Sequence, residues 1–198
     1  MKRKTDRRTL YTQRVIKDSF LDLIEHTSFD KINVTSICRK AEISRSTFYL
    51  HFDSVEDVLN HVIDDALLLT EDSSGTIIDM IDSINSGRLY NIEMLKNNDI
   101  LLPPCQRIAD SERYHALFED PLVSNAIIRR ITQHEYGKVI PGLMIRGNLS
   151  EEDAEMIFRF ILHGTFAVNS ALGWKKDERW FHAHSLISRL VSEGIKKL

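Results

Sequence analysis

The stretch Asn33 to Phe52, NVTSICRKAEISRSTFYLHF, constrains this chain more than any other. It divides into two short helical segments around a tight turn. Asn33 is placed to cap a helix from Val34 to about Ala41, its side chain accepting from an unpaired amide of the first turn. Ile37, Cys38 and Ala41 then share one apolar face. Glu42, Ile43 and Ser44 form the turn. Ser44 caps a second helix, Arg45 to His51, which Ile43, Phe48 and Phe52 pack onto the first. The pattern is a helix-turn-helix.

That second helix leaves Arg45, Ser46, Thr47, Tyr49 and His51 outside. It is too short to be stable alone. A helix that reads a major groove needs such groups: Arg bonds guanine edges in bidentate fashion, Thr offers a hydroxyl and a methyl, and Tyr and His reach phosphates. Thr35, near the start of the first helix, is placed for a phosphate contact. A solvated helical hairpin with no partner is the other reading of the same pattern.

Three segments carry a family resemblance. They are the run from Phe29 to Val34 (FDKINV), the run from Ile37 to Ala41 (ICRKA), and the run from Ile43 to Phe52 (ISRSTFYLHF). Together they resemble the N-terminal domain of the TetR family of transcriptional regulators, over roughly residues 10 to 65. The resemblance implies an all-α fold. A three-helix helix-turn-helix DNA-binding head, residues 1–52, would precede a helical ligand-binding and dimerisation body, residues 53–198. It implies a sequence-specific DNA-binding regulator, a repressor released by a small-molecule inducer. A coactivator or adaptor controlled by a protein partner is the alternative. Two positions depart from the family pattern: Glu42 stands where the turn usually has Gly, and Val55 where the next helix usually starts with a phosphate-contacting Lys.

Charge supports one end facing a polyanion. The net charge of -3 hides an asymmetry: residues 1–52 hold 11 Lys and Arg against 6 Asp and Glu, leaving -8 on the remainder. The N-terminal MKRKTDRR reads as a basic arm, a groove-reaching or merely solubilising tail, with no signal-like apolar run after it. Only 8 Gly and 4 Pro favour helices. Two cysteines, Cys38 and Cys105, make no disulfide framework and suit a reduced, cytoplasmic chain. No stretch approaches the ~20 apolar residues of a membrane span.

Outside the helix-turn-helix, the apolar spacing predicts helices alone. Ile16, Phe20, Leu23 and Ile24 make a stripe on a helix from Thr9 to His26, with Phe29 and Ile32 as plugs. Ser54 caps a helix, with Asp57 completing a weak capping box. On it Val55, Val58, Leu59, Val62, Ile63, Ala66 and Leu67 keep helical spacing from head to body. Segments follow at 76–85 and 89–98, then a break at Pro103-Pro104 and one helix from Gln106 to Glu119. Asp120 and Pro121 open the next, which reaches Tyr136 or beyond, before Pro141. Ser150 caps a helix to Leu172, apolar on two sides. The last spans Asp177 to Lys196, with Trp180, Ile187, Leu190, Val191 and Ile195 inward.

No catalytic or nucleotide-binding motif is present, and no cofactor is expected. His182 and His184 point about 200° apart on a helix and do not chelate one ion; no metal is expected. Met94, Tyr114, His115, Phe118, Tyr136, Met144, Phe166 and Asn169 mix aromatics, thioethers and polar tips, a blend that lines a small-molecule pocket or serves equally as core. One recognition helix reads few base pairs, so two heads about 34 Å apart on a palindromic operator are expected. That requires a homodimer. Phe160, Gly164, Ala167 and Ala171 on one helix, with Ile187 and Val191 on the next, are the candidate interface. Alternatively, the small residues merely accommodate the last helix within one chain.

Overall fold

The structure, a computed structural model, describes residues 7–70, 93, 96 and 102–195. The segments expected at 76–85 and 89–98, apart from Glu93 and Lys96, lie outside these, as do Met94 and the arm up to residue 6. Among the described residues every regular element is helical, as the spacing predicts. The first four helices are α1 (Arg7–Ile24), α2 (Val34–Lys40), α3 (Arg45–Tyr49) and α4 (Val55–Leu68). α1 packs on α2 and α4, and α2 on α3. Ile16 and Phe20 of α1 are fully buried, and the ring of Phe20 meets the edge of Phe29. All seven apolar positions expected on α4 are buried. Ser54 accepts from the Asp57 amide at 3.1 Å, but the Asp57 carboxylate bonds the amide of Asp53, one residue ahead of the cap, rather than that of Ser54.

The body continues through α5 (Pro104–Ala109), α6 (His115–Glu119), a 3₁₀ turn at Pro121–Val123, α7 (Ser124–Gly147), α8 (Glu151–Ala171) and α9 (Glu178–Ile195). Three expectations are corrected. First, Gln106 to Glu119 is two helices. α5 ends at Asp110, whose carboxylate is drawn back by the Gln106 amide at 2.9 Å, and the His115 ring bonds the carbonyl of Ala109 at 2.6 Å. These local bonds satisfy the groups that a break exposes. Second, α7 runs through Pro141 to Gly147 and stops at Asn148, in a left-handed conformation. Val139, Ile140 and Leu143 are buried around the proline, while Gly137, whose carbonyl loses its helical partner, faces solvent. Third, Leu190 of α9 is 70% exposed, and Ile187 and Val191 are only half-buried.

The phase of α9 follows from a polar cluster. Asn169 of α8 is fully buried, and its Oδ1 accepts from Trp180 Nε1 at 2.9 Å and from His184 Nε2 at 2.7 Å. Trp180 stacks on His184, the ring centroids 3.8 Å apart. Turning α9 to bury Leu190 would leave Asn169 without these donors in the interior and would also expose the fully buried Trp180 ring. Trp180, His184 and Ser188 therefore face inward at i, i+4 and i+8. On α8, Phe158, Ile161 and Leu162 are buried, whereas Phe160, Gly164, Ala167 and Ala171 face outward.

Head and body are joined at α6. Asp120, buried at its end, accepts from the amide of Phe29 at 2.7 Å with one oxygen and from Leu122 at 2.9 Å with the other. Arg113, ahead of α6, pairs with Asp18 of α1. Lys17 of α1 pairs with Asp65, and Arg130 of α7 with Asp64, both on α4.

Burial pushes the pKa of His184 down to about 4. The folded chain thus holds it neutral, while the unfolded chain protonates near pH 6.5. Stability present above pH 6.5 is lost as pH falls toward 4. Between pH 7 and 5 the loss is expected to be about 2 kcal/mol, read from urea midpoints. A pH-flat difference between the unmodified chain and His184→Gln would contradict it.

Candidate nucleic-acid interface

α2 opens on a reciprocal cap. Asn33 Oδ1 accepts from the Ser36 amide at 3.0 Å, and Ser36 Oγ accepts from the Asn33 amide at 3.1 Å. It closes in a Schellman turn: the Ile43 amide reaches back to the Cys38 carbonyl at 3.0 Å, and the Glu42 amide to Arg39 at 3.4 Å. Glu42 sits at the left-handed position, φ 54°. Only the turn's bonds hold a side-chain-bearing residue there, at a cost of about 1 kcal/mol.

Ser44 caps α3 by accepting from the Thr47 amide at 3.1 Å. Its hydroxyl also meets those of Ser46 at 2.7 Å and Thr47 at 2.9 Å, so the three hydroxyls form one cluster at the helix start. Phe48 is fully buried and Phe52 nearly so, the latter edge-on to the His61 ring of α4. With Phe48 inward, Arg45, Ser46 and Tyr49 face solvent, and Thr47 and His51 are half-buried. The Tyr49 phenol, one turn along α3, holds the Arg45 pKa above its ordinary value. Thr35 is exposed on the first turn of α2. The helix ends at Tyr49, so His51 lies just beyond it.

Leu50 escaped the sequence reading. It is 80% exposed beside Tyr49, an apolar group suited to a thymine methyl. Its signal was the phase of α3: with Phe48 and Phe52 inward, Leu50 faces away. Arg39 is exposed at the end of α2, and Leu10, Tyr11 and Arg14 are exposed on α1. Val55 is buried, so the α4 start presents Asp53 and Glu56 instead of a cation. Burial raises the pKa of the Cys38 thiol, leaving it unreactive.

The residues read as pocket-lining do not gather in one place. Phe118 and Phe166 meet across Trp174, at 4.7 and 4.9 Å between ring centroids. Tyr114 is core, and Asn169 belongs to the Trp180–His184 cluster. His115 is half-buried, 3.4 Å from Glu119. Tyr136 donates to Glu151 at the start of α8, and Met144 packs partly buried against the core. Glu151 and Phe166 stand about 22 Å apart along α8 at the helical rise. Among the described residues no group of three or more His, Cys, Asp or Glu could hold a metal, and no helix is long and apolar enough to cross a membrane.

No family model matches the chain. A 58-residue segment is 32% identical to the HTH-type dhaKLM operon transcriptional activator DhaS of Lactococcus lactis subsp. lactis (strain IL1403), covering 29% of this chain and 31% of that protein. A 92-residue segment is 28% identical to the uncharacterized HTH-type transcriptional regulator YxbF of Bacillus subtilis (strain 168), 46% of this chain and 22% of that one. The chain thus matches less than a third of the length of these curated relatives. Among solved structures, the dihydroxyacetone kinase operon activator DhaS aligns over 96% of this chain and 98% of its own, with a TM-score of 0.54 and 19% identity. That likeness shows the all-helical fold.

Glu42→Gly is expected to raise stability by roughly 0.5–1 kcal/mol, because glycine adopts the left-handed turn without strain. Denaturant midpoints of the two chains measure it; a lower midpoint for the glycine form would refute the strain.

Proposed function

We propose that this chain is a TetR-type, homodimeric, sequence-specific DNA-binding regulator of transcription rather than an enzyme. Residues 1–52 form its DNA-binding head and residues 53–198 its regulatory and dimerisation body. The observation that carries the reading is α3 itself: a capped, core-anchored helix presenting Arg45, Ser46 and Tyr49 to solvent. Likeness to two HTH-type regulators supports it. Arg45 takes the base-reading role, with Ser46, Thr47, Tyr49 and His51 beside it, and Thr35 contacts a phosphate. Such a protein works in the cytoplasm. Its output is repression relieved by a small inducer; of the residues read as its pocket only Phe118 and Phe166 are brought together, about Trp174, and they are its proposed contacts. In a second reading the chain activates transcription under the control of a protein partner; the likeness to DhaS, an operon activator, supports the sign of that output alone.

Arg45→Ala is expected to cost ~1–3 kcal/mol at the cognate site and to relax sequence preference. Tyr49→Phe should weaken all sequences alike. Gel shifts with genomic fragments, at several salt concentrations, provide the measurement. Unchanged binding by an Arg45, Thr47, Tyr49 triple-alanine chain would sink the assignment.

The dimer is proposed on the outward face of α8 and α9. Phe160 is 73% exposed there, next to Gly164, Ala167 and Ala171, and Leu186 and Leu190 add apolar surface from α9. Ile187 and Val191, half-buried, border it. Two such pairs make a four-helix bundle about a two-fold axis. Ala167→Glu is expected to shift sedimentation toward monomer without unfolding and to lower operator affinity. A monomeric unmodified chain at micromolar concentration would refute the dimer.

A further inference from the structure

The outward surface of α3 carries more than hydrogen-bonding groups. Leu50 caps the C-terminal end of the helix and is 80% exposed, its backbone still right-handed helical at φ -75° and ψ -15°. Phe48 and Phe52 stand two positions to either side, and both are buried. The Phe52 amide returns to the Phe48 carbonyl at 3.0 Å and closes the turn around Leu50. Residues two apart on a helical turn point about 200° from one another. The two rings that anchor the head therefore hold Leu50 on the opposite side, facing out. Among the described residues it takes no part in the hydrophobic core.

Polar and apolar groups are sorted along this surface. Arg45 and Tyr49, one turn apart, share one strip; Ser46 and Leu50 share the next, with Thr47 beside them. The hydroxyls of Ser46 and Thr47 are drawn toward Ser44 at the helix start, at 2.7 and 2.9 Å. The strip thus ends in the isobutyl group of Leu50, fixed in direction and open to a partner.

We propose that Leu50 is a specificity-determining residue, packing against the 5-methyl group of a thymine in the sequence that α3 reads. This rests on the DNA-binding reading of α3. The thymine methyl is the apolar feature of the major-groove base edges, and a side chain without donor or acceptor matches it. Against the cytosine amino group or a purine N7, Leu50 would displace water and offer no hydrogen bond in return. Leu50 selects thymine by contact, where Arg45 selects by hydrogen bonds.

The test uses duplexes that the full chain selects from a random-sequence pool. Each thymine is replaced in turn by deoxyuridine, which pairs identically and lacks only the methyl. Gel shifts are expected to find a position where the replacement weakens binding about fourfold, the contribution of one buried methyl group. Leu50→Ala should bind the thymine duplex more weakly and be indifferent to replacement at that position. Ile145→Ala, at an equally exposed site on α7, should keep the full loss. A loss at no thymine, or one that persists undiminished in Leu50→Ala, overturns the role of Leu50 and leaves a sequence-specific DNA-binding chain. Selection of no sequence at all overturns that role and the DNA-binding reading together.

Discussion

The head depends on burying Phe48 and Phe52. α3 has five residues, far below the roughly 12–15 that hold a helix in water. Ser44 starts it, but its inner side chains keep it folded: Phe48 is sealed within the head, and Phe52 lies against His61 of α4. Each such burial contributes about 2–3 kcal/mol. A head of this size encloses little core unaided. α4 supplies the missing wall, and its apolar stripe from Val55 to Leu67 packs on α1 and on α7. The outward groups of α3 are thus held in place by a helix that belongs equally to the body.

Between head and body, hydrogen bonds outweigh ion pairs. Asp18–Arg113 and Lys17–Asp65 are partly exposed, and pairs of that kind contribute about 0–1 kcal/mol each. Asp120 is buried and binds two backbone amides, one from each side of the junction. A charged acceptor in that setting is worth about 1.5–3 kcal/mol per bond. The 3₁₀ turn at Phe29–Lys31 is thereby fixed against the one at Pro121–Val123, which sets the docking of the head.

Where the structure departs from the sequence reading, a specific polar bond or an exposed position decided it. His115 and Gln106 stabilise a break that apolar spacing from Gln106 to Glu119 conceals. Pro141 is tolerated because its orphaned carbonyl, that of Gly137, faces solvent. Leu190 looks inward by hydrophobicity, yet Asn169 turns Trp180 and His184 to the core and carries Leu190 out.

Local chemistry was legible in the chain itself. Asn33, Ser44, Ser54 and Ser150 each cap the helix predicted for them, because a cap involves only residues three apart. Glu42, left-handed in the structure, stands where the resembled family has Gly, and the outward set of α3 follows from the inward phase of Phe48 and Phe52. Tertiary structure alone decided the rest. It scattered Tyr136, Phe166 and Asn169, and bridged head to body through Asp120 and Phe29. Asp120 and Phe29 are 91 positions apart, and no periodicity records a contact between residues so distant in sequence.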